Sequence, residues 1–422
     1  MNRNPRVRRL LADAIAIAAA ATVALAPAPA LAQAARTAEP LALVHARVLD
    51  VRTGRVAADQ TVVLRAGKIE SVSAQPPAAG IRTLDLAGRT LVPGLVDAHT
   101  HIANFAAARR ALESGVTTVR SSGVSLFVDV SLRDLVKSGA LPGPDMLAAG
   151  YHVRDRLAEE AFLSDPSLAD LMGGVKSLDD IRRVVRMNLA HGVDWIKINA
   201  TERAGTPDTD PRKQMWNETE IRAIVDEAAT KGVRIQAHAH GAEGALAAVK
   251  AGVASIEHGT YLTDEALDIM KQKGIAFVPT YSTVIDLAEP GGDYDMPPLM
   301  LRGQAMLPRL ADAVQRAYRK GILIVTGGDT SYGPNGITRV SHEVANFVKL
   351  GMTPIDAIRA ATVNAATLFR MEKSIGAIEP GLEADLVAVA ENPLDDVGTL
   401  QDPLLVVSNG RVVVDRLNFG KK

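Results

Sequence analysis

Apolar and polar positions alternate in short runs along the first ninety residues after an alanine-rich start. LALVHARVLD, QTVVLRAGKIESVSA and RTLDLAGRTLVPG each read as strand, broken at RTGR, AGK and AGR, where glycine and charge mark turns. A similar texture returns in ADLVAVAEN and PLLVVSNGRVVVDR, the second with an Asn-Gly hairpin signal. The two ends together predict one small β-sandwich domain, residues 33–90 plus 376–422, split by everything between.

From Leu91 to about Ile375 short apolar runs alternate with longer amphipathic ones. The strand-like runs are GLVDAHTH, VTTVRSSG, PDMLAAGYHV, VDWIKINA, VRIQAHAHG, VASIEHGT, IAFVPTYS and ILIVTGGDT. The helical runs have readable starts: Ser177 opens SLDDIRRVVRMNLAHG, and Asn217 opens NETEIRAIVDEAATKG with Glu220 placed to reciprocate the cap. Eight such units in series predict an α/β fold, a (β/α)8 TIM barrel over residues 91–375, with any active site at the C-terminal ends of its strands. A helix from Thr353 to Phe369, with Pro354 at its first position, closes it. The alternative is a doubly wound open sheet, which no G-x-G-x-x-G turn supports.

One strand raises a question of its own. In VDWIKINA, Trp195, Lys197 and Asn199 face one way and Ile196 and Ile198 the other, so Lys197 points into whatever the strand lines. A bare ammonium there is costly.

Composition narrows the chemistry. The 422 residues are 47% hydrophobic, enough for one large domain with an appendage or for two ordinary domains. Lys plus Arg, 47, nearly balances Asp plus Glu, 48, so charge offers nothing to nucleic acid, an anionic membrane surface or a polyanionic substrate. With no cysteine, disulfides, thiolate zinc sites and cysteine nucleophiles are excluded, and any metal must be held by His, Asp, Glu or a modified side chain. Residues 1–32 read as a signal peptide: Arg3, Arg6, Arg8 and Arg9 precede the mostly apolar Leu10 to Leu25, and Ala30-Leu31-Ala32 offers a cleavage site. That predicts a periplasmic or secreted mature chain without stable membrane association, while Asp13 inside the apolar run keeps open an uncleaved anchor or a cytoplasmic tail.

Five of the nine histidines fall in three strings, DAHTH (His99, His101), QAHAHG (His238, His240) and IEHG (His258), each at the end of an expected barrel strand. Residues i and i+2 on a strand share a face, so His99 and His101 converge on one point, a geometry that suits a metal. TGGDT adds Asp329 at the end of the eighth run, and Lys197 projects toward the same ring. A protonated lysine beside divalent ions is repelled. Desolvation and nearby cations lower its pKa, and the neutral amine can take up carbon dioxide as a carbamate, an anionic donor able to bridge two metals. The alternative is a lysine paired with Asp329 or Glu257 and no metal.

LVPGLVDAHTH, the lysine of VDWIKINA, QAHAHG, IEHGT and TGGDT stand in the order and context of the metal-dependent amidohydrolase superfamily, which the chain resembles over essentially its whole mature length. Within it the chain is most similar to the branch of imidazolonepropionase-like proteins, Xaa-Pro and Xaa-Arg dipeptidases and ochratoxin-hydrolysing amidases. The resemblance implies two divalent ions: His99 and His101 on the more buried, His238 and His258 on the more exposed, carboxylated Lys197 bridging and Asp329 on the first. Zinc fits the histidine-rich set best, with manganese or cobalt also admitted. The resemblance also implies that Asp329 acts as general base toward a metal-bridging hydroxide, and that His240 polarises the scissile carbonyl or holds the oxyanion. A homo-oligomer, an octamer among its forms, is implied too.

Asp97 shares a face with His99 and reads either as an orienting group or as a structural carboxylate, while Glu257, pointing away from His258, reads as a packing or ion-pair residue. Tyr151, His152, Arg154 and Arg203 lie at or past strand ends and are candidate substrate contacts, whereas His45, His191 and His342 read as incidental. The loops Arg154–Ser177, Thr201–Trp216 and Thr283–Met300 are long enough to wall a pocket. In them Arg154, Arg156, Arg203 and Arg212 are candidates to receive a carboxylate, and Leu157, Phe162, Leu163, Met215, Trp216, Tyr294 and Met296 to line an apolar cleft. Where relatives carry a glycine-rich histidine string after the third strand, this chain has AAGYHVRD. The expected reaction is carboxypeptidase-like hydrolysis of an N-acyl or N-aroyl amino acid or dipeptide with a free C-terminal carboxylate, ochratoxin A included. Rival readings are an Xaa-Pro or Xaa-Arg dipeptidase, a cyclic amide or lactone hydrolase, and a metal-free binding protein of the same fold.

Overall fold

The computed structural model describes residues 39–418; the export segment expected over residues 1–32 lies outside the described residues. Both ends of the described chain enter one sheet. Strands β1 (Leu41–Asp50), β2 (Arg55–Arg65), β3 (Lys68–Ser73), β4 (Arg82–Asp85) and β5 (Thr90–Pro93) come first. The inner strands follow: β6 (Leu95–Thr100), β7 (Val116–Ser121), β8 (Asp145–Leu147), β9 (Trp195–Asn199), β10 (Arg234–Ala239), β11 (Ser255–His258) and β12 (Ala276–Val278). The chain then returns through β13 (Leu386–Val389), β14 (Leu405–Ser408) and β15 (Arg411–Asp415).

The end strands run in the order β15-β14-β13-β5-β1-β2-β3, with β4 beside β1, as one eight-stranded sheet. It is mixed rather than antiparallel throughout, because β1 pairs with both β4 and β5 in parallel. The expected Asn-Gly hairpin joins β14 to β15, with Asn409 and Gly410 both at positive φ.

The inner strands form two parallel sheets, β6-β7-β8 and β9-β10-β11-β12. Every residue of β6, β7 and β9 is buried, as expected of parallel strands covered on both faces. Single contacts link the two sheets. Val153 donates to the Lys197 carbonyl at 2.8 Å and forms a parallel bridge with Ile198. The eighth run, ILIVTGGDT, is not a ladder strand. Ile324 bridges to Phe277 and Thr330 to Thr100, while the Thr326 N–H turns away to the Ala360 carbonyl at 3.1 Å and Asp329 takes a φ of 45°. Those departures break the regular pairing that the apolar pattern predicts.

The helices between strands start as their caps dictate. Ser177 and Asp180 form a reciprocal cap on Leu178–Ala190, and Asn217 and Glu220 do the same on Glu218–Ala229. The helix expected over Thr353–Phe369 is instead two, Pro354–Ala360 and Val363–Phe369. At the break, Thr362 turns its hydroxyl back onto the Ile358 carbonyl at 2.8 Å, a side-chain bond that competes with the helical ladder. Among the described residues no helix is long and apolar enough to cross a membrane.

Candidate active site

The strand ends deliver the histidine strings to one place. Lys197, 1% exposed on β9, puts its Nζ 3.3 Å from His99 Nε2. Asp329 Oδ1 lies 3.3 Å from that same nitrogen and 3.1 Å from His101 Nε2. The His258 ring stands 5.0 Å from that of His99 and 4.6 Å from those of His238 and His240. All seven side chains line a single cleft of about 500 Å³. Neither Asp329 nor Glu257 forms an ion pair with Lys197, which removes the simple salt bridge offered above as the reason for its burial.

Each ring is held by its outer nitrogen. His99 Nδ1 donates to Glu257 at 2.8 Å, His101 Nδ1 to the Gly123 carbonyl at 2.8 Å, and His238 Nε2 to the Glu202 carbonyl at 3.1 Å. His258 Nδ1 meets the Thr280 hydroxyl at 2.7 Å and His240 Nδ1 the Thr260 hydroxyl at 2.8 Å. For the first three the partner is an acceptor only, so the outer nitrogen is the donor and the other nitrogen is turned to the cleft. Fixing the tautomer in this way suits rings that hold a divalent ion. Two groups, His238-His240-His258 and His99-His258-Asp329, each keep one potential ligand atom per residue within 4.8 Å of the others. The donor set therefore fits divalent metal.

The local backbone explains the glycines in TGGDT. A Cβ on Gly327 would lie 2.8 Å from the Cβ of His99, and one on Gly328 would lie 2.7 Å from Asp97 Oδ2. Both positions must be bare for the segment to pass beneath His99. His258 and Asp329 themselves sit at positive φ, 70° and 45°, conformations that cost on the order of 1–3 kcal/mol and persist where the surroundings enforce them.

The charges are held from behind. Glu257, fully buried, takes the Arg120 guanidinium at 2.8 Å on one oxygen and His99 on the other. Burial alone would raise its pKa, but Arg120 and then His99 outweigh it and hold the carboxylate at about 2. Arg120, also fully buried, lies over Trp195 at 4.7 Å. Asp97 accepts the N–H groups of His99 and Gly328 and the Tyr332 hydroxyl, so it ties the first strand end to the segment carrying Asp329. Burial lowers the Lys197 amine to about 8 against the pull of Glu257 and Asp329. Burial likewise lowers His240 to about 3 and holds His238 and His258 well below the usual imidazole range.

The candidate substrate contacts divide. His152 lines the cleft with its Nδ1 on Asn199 at 2.9 Å, and Arg203 reaches it as well. Arg154 and Tyr151 line an adjoining cavity that shares His101, His152 and Arg203 with the cleft. The Tyr151 hydroxyl accepts from the Leu126 N–H and meets Ser164, so it braces the wall. Arg212 is committed to Asp210 and lies at a different surface. The apolar lining is Ala204, Val284, Leu287 and Tyr294; of the other side chains expected there, Trp216 is packed in the core and Leu163 projects into solvent. Arg120 is not among the site residues expected from the sequence, whereas Asn199 is placed there on the face of Lys197 without a role. An arginine in the buried strand VTTVRS is the available sign.

An α/β fold whose strand ends gather five histidines, a lysine and an aspartate defines the architecture of a metal-type hydrolase. Residues 90–413 match the amidohydrolase family, and the chain belongs to it. It is 31% identical over 360 residues to ochratoxinase from Aspergillus niger, covering 75% of this chain and 73% of that one. A solved Xaa-Pro dipeptidase with methionine bound in its active site has a TM-score of 0.79 and 29% identity, covering 89% of this chain and 99% of that chain. The solved A. niger ochratoxinase has a TM-score of 0.75 and 25% identity, covering 90% and 96%. These likenesses place the chain in the imidazolonepropionase-like branch and make it a hydrolase acting on amide bonds.

Two predictions come from the site's electrostatics. In metal-free protein His238, His240 and His258 stay neutral when folded, whereas their unfolded counterparts take up protons below about 6.5. The unfolded state then binds more protons, so stability falls as pH drops from about 6.5 toward the His240 value of about 3, by on the order of 1.4 kcal/mol per pH unit per group. Urea denaturation at stepped pH measures the slope; a flat profile would contradict it. The second concerns Glu257→Gln, which strands buried Arg120 and should cost about 3–5 kcal/mol. It should also weaken metal binding about 10–100-fold by releasing His99. Adding Arg120→Met should restore stability without restoring affinity, as read by denaturation and metal titration; recovery of both would make Glu257 a structural group alone.

Proposed function

We propose that this chain is a binuclear metal-dependent amidase that removes a C-terminal amino acid from small N-acyl or N-aroyl amino acids and dipeptides, with ochratoxin A among its substrates. The observation that carries the substrate reading is a pair of arginines at the rim. Arg154 and Arg203 both line the adjoining cavity, and neither guanidinium has an ion-pair or hydrogen-bond partner among the described residues. Arg154 is half-buried, and burial followed by repulsion from Arg203 lowers its pKa. Two unpaired cations lining one cavity suit an anion such as a terminal carboxylate. Val284, Leu287 and Tyr294 then face a bulky apolar side chain, as in an aroyl or aromatic amino acid. Similarity to ochratoxinase and to an Xaa-Pro dipeptidase supports the same substrate class.

In this reading the two inner parallel sheets and the 322–330 segment close as one (β/α)8 barrel, and His99, His101, Lys197, His238, His258 and Asp329 hold two divalent ions, zinc by the character of the donors. Bound there, the ions supply an activated water at neutral pH and draw charge from the scissile carbonyl. Lys197 serves as a carbamate formed with carbon dioxide: its amine is buried, near neutrality and without a counter-charge in contact. Asp329 takes the proton from the attacking water and delivers it to the leaving nitrogen as the C–N bond breaks. His240, its ring oriented by Thr260, steadies the carbonyl oxygen as negative charge develops. Export to the periplasm or medium and assembly into a homo-oligomer belong to the same proposal and rest on the sequence alone.

Lys197→Ala is expected to lose most activity and most bound metal, with partial recovery on adding a small carboxylic acid, because a bridging carboxylate is what has been removed. Full activity without additive would rule out the carbamate. For the substrate, a panel of N-acyl amino acids, dipeptides, ochratoxin A and lactones, each acid beside its C-terminal amide, tests carboxylate recognition. The free acids should be preferred, and Arg154→Ala should raise their KM by about 10-fold or more, the scale of a lost charge-assisted hydrogen bond, while leaving the amides unchanged. Equal turnover of acids and amides would overturn the carboxylate site, and turnover of lactones alone would replace the amidase reading.

A further inference from the structure

At the opposite end of the inner strands from the histidines, three carboxylates meet. Asp145 opens β8, while Glu383 and Asp385 lie where the chain re-enters the end sheet ahead of β13. One oxygen from each lies within 4.8 Å of the others. Asp385 is only 5% exposed; its Oδ1 accepts the Asn409 N–H at 2.7 Å, and its Oδ2 is buried with no hydrogen-bond partner. Glu383 Oε2 is buried and unpartnered in the same way. Asp145 is steadied by the Asn409 side-chain amide, which donates to both of its oxygens at 3.3 and 3.2 Å. The cation facing Glu383 is Lys68, whose Nζ is already given to the Gly381 carbonyl at 3.0 Å. Ionised together, the three carboxylates would exceed the one ammonium by two negative charges, and two of their buried oxygens have no hydrogen-bond partner.

We propose that Asp145, Glu383 and Asp385 form a structural site for one hard divalent cation that fastens the returning chain to the third inner strand. Carboxylate oxygens without imidazole or thiolate select Ca2+ or Mg2+ over zinc. An ion about 2.0–2.6 Å from each ligand sits within the space these oxygens define. The ion joins three segments distant in sequence, Asp145, the 383–385 turn and, through Asn409, the hairpin between β14 and β15. The competing arrangement is a shared proton, since burial and neighbouring carboxylates push Asp385 well above the ordinary range and Glu383 to about 7.

The test uses the full-length protein as isolated, without chelator, so that the histidine cluster keeps whatever metal it carries. CaCl2 and, separately, MgCl2 are titrated at pH 8 by calorimetry and by thermal melting, to concentrations of about 10 mM, above the range of weak calcium modules. One of the two salts should bind at one ion per chain and raise Tm by about 2 °C or more. Both the heat and the shift should vanish in Asp145→Asn, with Glu383→Gln as the second variant if the first does not fold. If neither salt binds the wild-type protein the proposal is wrong, and a Tm that falls between pH 6 and 8 then shows that a proton holds the cluster. Equal binding by wild type and both variants would place the ion elsewhere and overturn it too. These readouts do not depend on amide hydrolysis, so the proposal stands or falls apart from the amidase reading.

Discussion

Lys197 carries its amine on a strand buried along its whole length, and an ammonium in that position has lost its water without gaining a carboxylate in direct contact. Its nearest polar neighbour is a histidine nitrogen whose other side is already committed to Glu257. The fold itself therefore lowers the lysine's pKa to about 8. Around it the histidine rings crowd to centroid separations of 4.6 to 5.5 Å, and burial lowers the pKa of His101, His238, His240 and His258. A centre whose amine and four of whose five imidazoles are held below their ordinary pKa resists protonation and is poised to accept a cation from outside.

Two buried polar chains make that crowding tolerable. Arg120 to Glu257 to His99 fixes one ring from behind, and the paired charges are compensated where neither meets water. Tyr332 to Asp97, with its bonds to the His99 and Gly328 N–H groups, fixes the strand ends relative to each other. The residues facing the cleft are thus positioned by residues that never reach it. This division explains why the glycines of TGGDT and the positive φ of Asp329 and His258 occur together: the backbone bends sharply to bring acceptors and rings into range, and the carboxylates behind hold the bend.

Much of this is legible in the sequence, and the boundary of legibility has physical causes. The i, i+2 spacing of His99 with His101 projects those side chains onto one face whatever else the chain does, and the strand ends carry them to the cleft beside Lys197 and His258. Helix starts at Ser177 and Asn217 are legible because capping is local. Contacts that depend on pairing between distant segments are not. Arg120 looks like any strand arginine until Glu257 and Trp195 close around it, and Trp216 looks like a cleft residue until its indole N–H is found directed at the Val153 carbonyl in the core. The eighth run reads as a strand by its apolar pattern, yet Gly327, Gly328 and the diversion of Thr326 to Ala360 deny it a regular ladder. Apolar periodicity reports burial, and burial alone does not fix which neighbour receives the hydrogen bonds.

The cleft also has a polarity that constrains what it can hold. Its floor is a ring of neutral donors and one carboxylate, its wall on the side of Val284, Leu287 and Tyr294 is apolar, and its rim beside His152 carries Arg203 with Arg154 just beyond. Arg302 keeps the loop that bears Arg203 in place by donating to the carbonyls of Ala204, Thr206 and Thr209, so that arginine is presented on ordered backbone. Gly205 lets Tyr294 pack against the same loop, since a Cβ there would meet the Tyr294 ring at 2.4 Å. Under the proposed function, a ligand that reaches from the floor to the rim presents a polarisable carbonyl, an apolar group and an anion. A neutral ester or lactone satisfies the first two and leaves both arginines unpaired. An acyl amino acid satisfies all three with a single short backbone, and the spacing between its amide and its carboxylate is fixed by one tetrahedral carbon. That fixed spacing is what allows a rigid, pre-positioned rim to contribute to orientation of the scissile bond rather than to binding alone.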